Sequence, residues 1–196
     1  MKVRFYKQHS METCGIACLM MILDAFGIDY PTVAKEWRYY ARYRSRIMPG
    51  TSLGAIACAL TRAGLTATLF HASPELMDNR NAYNPPELHE QLLQEHRTFI
   101  EWAGDGVTVQ SGSPVTADTL QHELNRERLV IVEVYIPGDA DGLHDHVLHG
   151  ILLYGMEDGV FLGCDPLAGR IRLTAQELEK LMDTPYGASA LSAGCT

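Results

Sequence analysis

The chain has no long apolar run. Nothing in it approaches the roughly 20 residues that a membrane-spanning helix needs, so no membrane partner is expected. The leading Met1-Lys2-Val3-Arg4-Phe5-Tyr6-Lys7 carries charge with no apolar segment behind it, and no secretory signal is expected. Positive charge is scarce too: 16 Lys and Arg stand against 24 Asp and Glu, a formal net charge of -8. That balance argues against a nucleic-acid partner. The five cysteines are odd in number and contain no C-x-x-C pair. Cys14 and Cys18 lie four apart, and Cys58, Cys164 and Cys195 are scattered. This excludes a disulfide framework or a four-cysteine zinc site and predicts free thiols in a reducing, cytoplasmic setting. There are no internal repeats. The 196 residues suit one domain, 1–196, large enough to bury its own core.

What the chain does have is a short polar stretch, Gln8-His9-Ser10-Met11-Glu12-Thr13-Cys14-Gly15, running straight into an apolar one. The apolar positions from Ile16 to Phe26 nearly encircle a helix, so the spacing predicts a buried helix over about 13–26, stopped by Gly27. Cys14 then falls at its first turn. Free backbone N–H groups and the positive end of the helix dipole favour a thiolate there. Cys14 is therefore the candidate nucleophile.

Helices are also expected from Pro31-Thr32 through Tyr40 and from Leu53 to Ala63, and a strand over 65–70. The basic, aromatic run from Arg38 to Arg46 reads as a solvated helix face with arginines along tyrosines, with a grip for a substrate or an acidic partner as the alternative. Residues 73–116 change character, with Pro74, Pro85 and Pro86 as punctuation. They read as an inserted segment holding a helix, Glu87 to Trp102, and a short strand, Val107 to Val109. Beyond it come a helix from Thr116, a strand over 129–136, a hairpin over 149–166 and a strand over 170–173. Thr174-Ala175-Gln176-Glu177 is a capping box that opens a last helix. The tail from Ser189, small and polar, is expected to fray. Helices first and antiparallel strands later predict an α+β fold, a helical half packed on a small sheet.

A cysteine nucleophile needs a base and a group to orient it. His149 heads an apolar strand and Asp165 ends the next. A turn near Glu157-Asp158 places them opposite each other, with Cβ atoms about 5 Å apart. A slip of one residue would put them on different faces. His146 is the rival base. His144, His146 and His149 also raise a zinc hydrolase, but in an extended chain the first two face away from the third, and no metal or cofactor is expected. Gln8 offers a side-chain amide for the oxyanion, beside the backbone N–H of Cys14.

Gln8-x5-Cys14-Gly15 with its apolar helix, Gly50-Thr51-Ser52-Leu53, Gly64-Leu65, His149-Gly150-Ile151-Leu152-Leu153-Tyr154-Gly155 and Asp165-Pro166-Leu167-Ala168-Gly169 occur in this order. Together they resemble the cysteine peptidases that cut double-glycine leaders from bacteriocin precursors (family C thirty-nine), here as a standalone member. The likeness covers 1–72 and 117–175. Thr13 stands where that family often has aspartate. The resemblance implies a papain-like fold, with Cys14 as nucleophile, His149 as base, Asp165 as its orienter and Gln8 as oxyanion donor. It implies a hydrolase cleaving a peptide amide or thioester through an acyl-enzyme on Cys14. Peptides or acyl-carrier-type molecules are the substrates in view. Acyl transfer or glutamine deamidation by the same residues, and peptide binding without cleavage, are the alternatives.

Overall fold

An unbroken apolar run can be satisfied only by apolar neighbours on every side, and the run after Cys14 is so placed. Helix α1 (Cys14–Ala25) buries every residue from Gly15 to Leu23. The computed structural model describes residues 2–76, 84–137, 146–184 and 187–195, with backbone alone at 136, 137, 146 and 147. After α1 come α2 (Val33–Tyr43), α3 (Leu53–Arg62), β1 (Thr66–His71), α4 (Pro86–Ala103), β2 (Val107–Ser111), α5 (Ala117–Asn125), β3 (Leu129–Pro137) and β4 (His146–Glu157). The chain closes with β5 (Val160–Asp165), β6 (Gly169–Leu173), α6 (Ala175–Met182) and β7 (Ser189–Gly194). Among the described residues no helix is long and apolar enough to cross a membrane.

The strands form one sheet in the order β2-β1-β7-β3-β4-β5-β6. β1 and β2 run parallel and every other pair is antiparallel. Both faces are covered. Ile131, Leu152 and Leu191 pack with Ile16, Leu19 and Leu23 of α1, with Ile56 and Leu60 of α3, and with Tyr40 and Phe99. Val130, Val132, Ile151, Leu153 and Phe161 meet Leu120 and Leu124 of α5 and Leu178 and Met182 of α6. This α+β architecture is more than a helical half on a small sheet. The consecutive apolar residues Leu129-Val130-Ile131-Val132 carry the reason: a strand buried on both faces has no polar positions to alternate with.

Segment 73–116 supplies α4, which packs on α3, and β2, which extends the sheet beyond β1. The fit between the two helices is close: a Cβ on Gly54 would lie 2.9 Å from His96 Nδ1.

The tail corrects its expectation outright. Far from fraying, β7 lies between β1 and β3 and is buried along its whole length. Small side chains are what a strand pinned between two helical layers can accommodate. Its hydroxyls are paired: Ser189 Oγ with His71 Nδ1 at 3.2 Å, and Ser192 Oγ with Glu123 Oε2 at 2.5 Å. Arg128 completes the second cluster, with Nε 3.0 Å from Ser192 Oγ and 3.1 Å from Glu123 Oε2.

Candidate active site

The helix that Cys14 opens fixes the position of its sulfur. Thr13 is the N-cap of α1 and Cys14 its first residue. Gly15 lies against α3: a Cβ there would come 2.8 Å from Ile56 Cδ1. The Gly50-Thr51-Ser52-Leu53 segment serves the same junction. Ser52 Oγ caps α3 by accepting from Ala55 N at 3.1 Å, and the Thr51 carbonyl faces Gly15. The first-turn amides of α1 have no intrahelical acceptors, so the N–H of Cys14 is left for a group outside the helix.

The histidine–aspartate couple depends on a bulge. Asp158 and Gly159 both have positive φ, 52° and 76°, which makes the two-residue hairpin turn that suits strand twist. Pairing runs Glu157↔Val160, Met156↔Phe161 and Gly155↔Leu162, then skips Tyr154 to Leu153↔Gly163 and Leu152↔Cys164. The next pair along places Asp165 opposite Ile151, two residues from His149. The expected register is therefore off by two, and two residues keep the same face. Without the extra residue Tyr154, Asp165 would fall opposite Leu152, on the wrong face for His149. Diagonal neighbours at this spacing remain within reach of long side chains. The side chains do meet: His149 Nε2 is 2.8 Å from Asp165 Oδ1. That oxygen also accepts from the backbone N–H of Leu167 at 2.7 Å and of Ala168 at 3.2 Å.

With Nε2 held by Asp165, the His149 imidazole is the group that acts most strongly on the Cys14 thiol against burial. Burial alone would raise the Cys14 thiol. The hydrogen bond and charge of His149, with the N–H groups of Gly150 and Gly15, outweigh it and hold the thiol below its ordinary value. Burial would lower His149; Asp165 and Cys14 together raise it to about 9. Burial would raise Asp165, and its bonds to His149 and the two amides depress it. These directions make the thiol readier to lose its proton and the imidazole readier to keep its own, with a carboxylate behind it.

Gln8 is buried. Its backbone N–H donates to the Pro166 carbonyl at 3.1 Å, tying the lead-in segment to the Asp165 loop. Its Nε2 donates one hydrogen to the Ser10 carbonyl at 2.7 Å, which leaves a second. Cys14, His149 and Asp165 are thus brought together, with Gln8 held between the lead-in turn and the aspartate loop. His144 and Asp145 lie outside the described residues, as does the His146 side chain. Among the described residues no group of three His, Cys, Asp or Glu could hold a metal ion.

Two features escaped the sequence. The Tyr154 bulge is one, although Gly155 beside it is the kind of strand glycine that marks a bulge. Glu36, an acid in the first turn of α2 that no motif marks, is fully buried. It accepts from Tyr6 Oη at 2.8 Å, His9 N at 2.9 Å and Thr13 Oγ1 at 2.5 Å, and pairs with His9 Nδ1 at 2.8 Å. Burial would raise its carboxyl, but these donors hold it low.

Residues 2–86 match the model of the Peptidase C39 family. The match spans Gln8, Cys14 and Glu36 and ends before His149. No curated protein matches the chain in sequence. Among solved structures, one from Bacillus anthracis described as a C39-like peptidase aligns with a TM-score of 0.53 at 12% identity, over 100% of this chain and 96% of that one. Two more align with a TM-score of 0.49. One is a double glycine motif protease from an AMS/PCAT transporter in complex with the leader peptide (14% identity, 98% of this chain, 91% of that one). The other is the peptidase domain of Streptococcus ComA, a bi-functional ABC transporter (13% identity, 98% of each chain). The Bacillus anthracis structure shares the fold, which is that of C39-like peptidases.

Proposed function

We propose that this chain is a cysteine peptidase that cleaves a peptide amide through an acyl-enzyme on Cys14. The observation that carries the reading is the unbroken line Cys14–His149–Asp165, with the thiol held low and the imidazole held high. The thiolate attacks the scissile carbonyl carbon, forming the C–S bond as the carbonyl π electrons move to oxygen. The Cys14 N–H and the second Gln8 Nε2 hydrogen receive that oxyanion. Donors of this kind are each worth about 100- to 1,000-fold in rate. As the tetrahedral species collapses, the C–N bond breaks and the leaving amine takes the His149 proton. Water then attacks the thioester, His149 accepts its proton, and the acid departs from a regenerated thiolate. Asp165 holds the ring in the tautomer that both transfers require.

The family match over the N-terminal part supports a peptide as acyl donor, and a Gly-Gly peptide of the double-glycine type is the first probe to use. We propose His149 as the base, since its Nε2 is already oriented by a carboxylate. We also propose that 1–196 acts as one catalytic domain in which 73–116 is an insertion that widens the sheet.

Incubation of such a peptide with the protein in 18O-labelled water tests this. The expected product is a new C-terminal carboxylate carrying one solvent oxygen, formed by the wild type and not by Cys14→Ala. Cleavage that persists in Cys14→Ala would overturn the nucleophile. Product formed only when an added amine is present, as an amide without solvent oxygen, would replace hydrolysis with acyl transfer.

A further inference from the structure

We infer that Glu36 is a positioning residue for the oxyanion site, acting on Gln8 through Thr13 and the Ser10 carbonyl; the inference rests on the oxyanion role proposed above for Gln8. Glu36 touches none of the reacting atoms. It stands on α2, a different element from every residue of the triad, yet all four of its contacts fall on residues 6–13. Those residues hold Gln8 at one end and the N-cap of the nucleophile helix at the other.

The connection can be followed atom by atom. The Thr13 hydroxyl gives its one hydrogen to Glu36 Oε1 at 2.5 Å and accepts from Ser10 N at 3.3 Å, beside the Ser10 carbonyl oxygen 2.9 Å away. Thr13 N donates to the same carbonyl at 3.2 Å, and Gln8 Nε2 donates to it at 2.7 Å. The Ser10 carbonyl is therefore the shared acceptor of the Thr13 turn and the Gln8 amide. As N-cap, Thr13 makes no side-chain bond to its own helix, so its hydroxyl serves this turn instead. One turn along α2, Tyr40 Oη donates to Glu12. Two side chains on one face of α2 thus hold the lead-in at four residues: Tyr6, His9, Glu12 and Thr13.

The charge matters as well as the shape. A carboxylate offers only acceptors, and all the groups facing Glu36 can donate: a phenol, a backbone amide, an imidazole and a hydroxyl. Charge-assisted bonds to such a group are about twice as strong as neutral ones. A carboxamide at 36 would present hydrogens to some of these donors and loosen the set. The Ser10 carbonyl would then be freed from its fixed direction, and Gln8 with it. The thiolate–imidazolium pair, built from β4, β5 and the amides of Gly15 and Gly150, would be left as it is.

NMR of the Gln8 side-chain amide reads this directly and needs no substrate. In Glu36→Gln, hydrogen exchange at Gln8 Nε2 should quicken by about tenfold or more, while the backbone amides of Val132 and Leu152 keep their protection. Thr13→Val removes the relay hydroxyl in a residue of the same shape, and should give the same change if Glu36→Gln fails to fold. In turnover, Glu36→Gln should lower kcat about tenfold with KM within about twofold and an unchanged rate of Cys14 alkylation. Added to Gln8→Ala, it should cost almost nothing more. Unchanged Gln8 exchange in both variants, or losses that simply add to those of Gln8→Ala, would overturn the inference. A Gln8 amide that responds as expected in a protein that turns over no peptide would instead count against the proposed function alone.

Discussion

Cys14 and Cys18 occupy successive turns of one helix, and their thiols are pushed in opposite directions. Burial works against ionisation at both. At Cys14 it is overcome by an imidazole and two backbone amides. At Cys18 nothing opposes it: the sulfur lies 3.5 Å from the Gly150 carbonyl oxygen, an acceptor, and the charges of Cys14, Cys164 and Asp165 raise it further. The same residue of β4 thus presents its N–H to one sulfur and its C=O to the other. A place on this helix does not by itself set the direction of a thiol's shift. The polarity of the groups meeting the sulfur does.

The sharpest way to break the comparison is to take away what distinguishes the two sites. His149→Ala should cost about 10⁴-fold in kcat/KM, leaving Cys14 as inert as Cys18. Next comes the register. Deleting Tyr154 removes the bulge and turns Asp165 to the face of Leu152. The deletion should cost about 10²- to 10⁴-fold, as Asp165→Asn should, because both leave His149 without its orienting carboxylate. A deletion variant that folds and keeps full activity would refute the parity argument. The smallest effect belongs to Cys18. Cys18→Ala should leave kcat within about threefold and lower unfolding stability by about 1 kcal/mol in denaturant titration, as expected of a thiol that only packs. A loss of activity comparable to that of His149→Ala would make Cys18 part of the chemistry.

Much of this is legible in the chain. Gln8, Cys14, His149 and Asp165 stand out by residue type and by their place at the ends of apolar segments, and the buried helix is evident from its encircling pattern. Two things are hidden. Register is a property of pairing, so the turn at Asp158-Gly159 and the bulge at Tyr154 shift it by amounts that residue types do not encode. Burial of polar groups is set by tertiary contact: nothing in the sequence marks Glu36 as buried, and the Ser189 to Gly194 strand reads as a fraying tail, because their partners lie far off in sequence. Ser192 meets Glu123 and Arg128, and Glu36 meets Tyr6 and Thr13. The composition of β7 reads as tail-like for the very smallness that lets it sit in the middle of the sheet.

The central claim is that Cys14 is a thiolate paired with a protonated His149. The signs set the window. A histidine raised to about 9 keeps its proton, and its contribution to stability, below its ordinary value, and loses both as pH rises through about 9. A thiol held low ionises below its ordinary value. Alkylation by iodoacetamide, monitored residue by residue from pH 5 to 10, measures this with the exposed Cys195 as an internal reference. At pH 6 Cys14 should react at least about tenfold faster than Cys195, with a change in its rate near pH 9 that His149→Ala abolishes. A Cys14 profile that overlays that of Cys195 would contradict it.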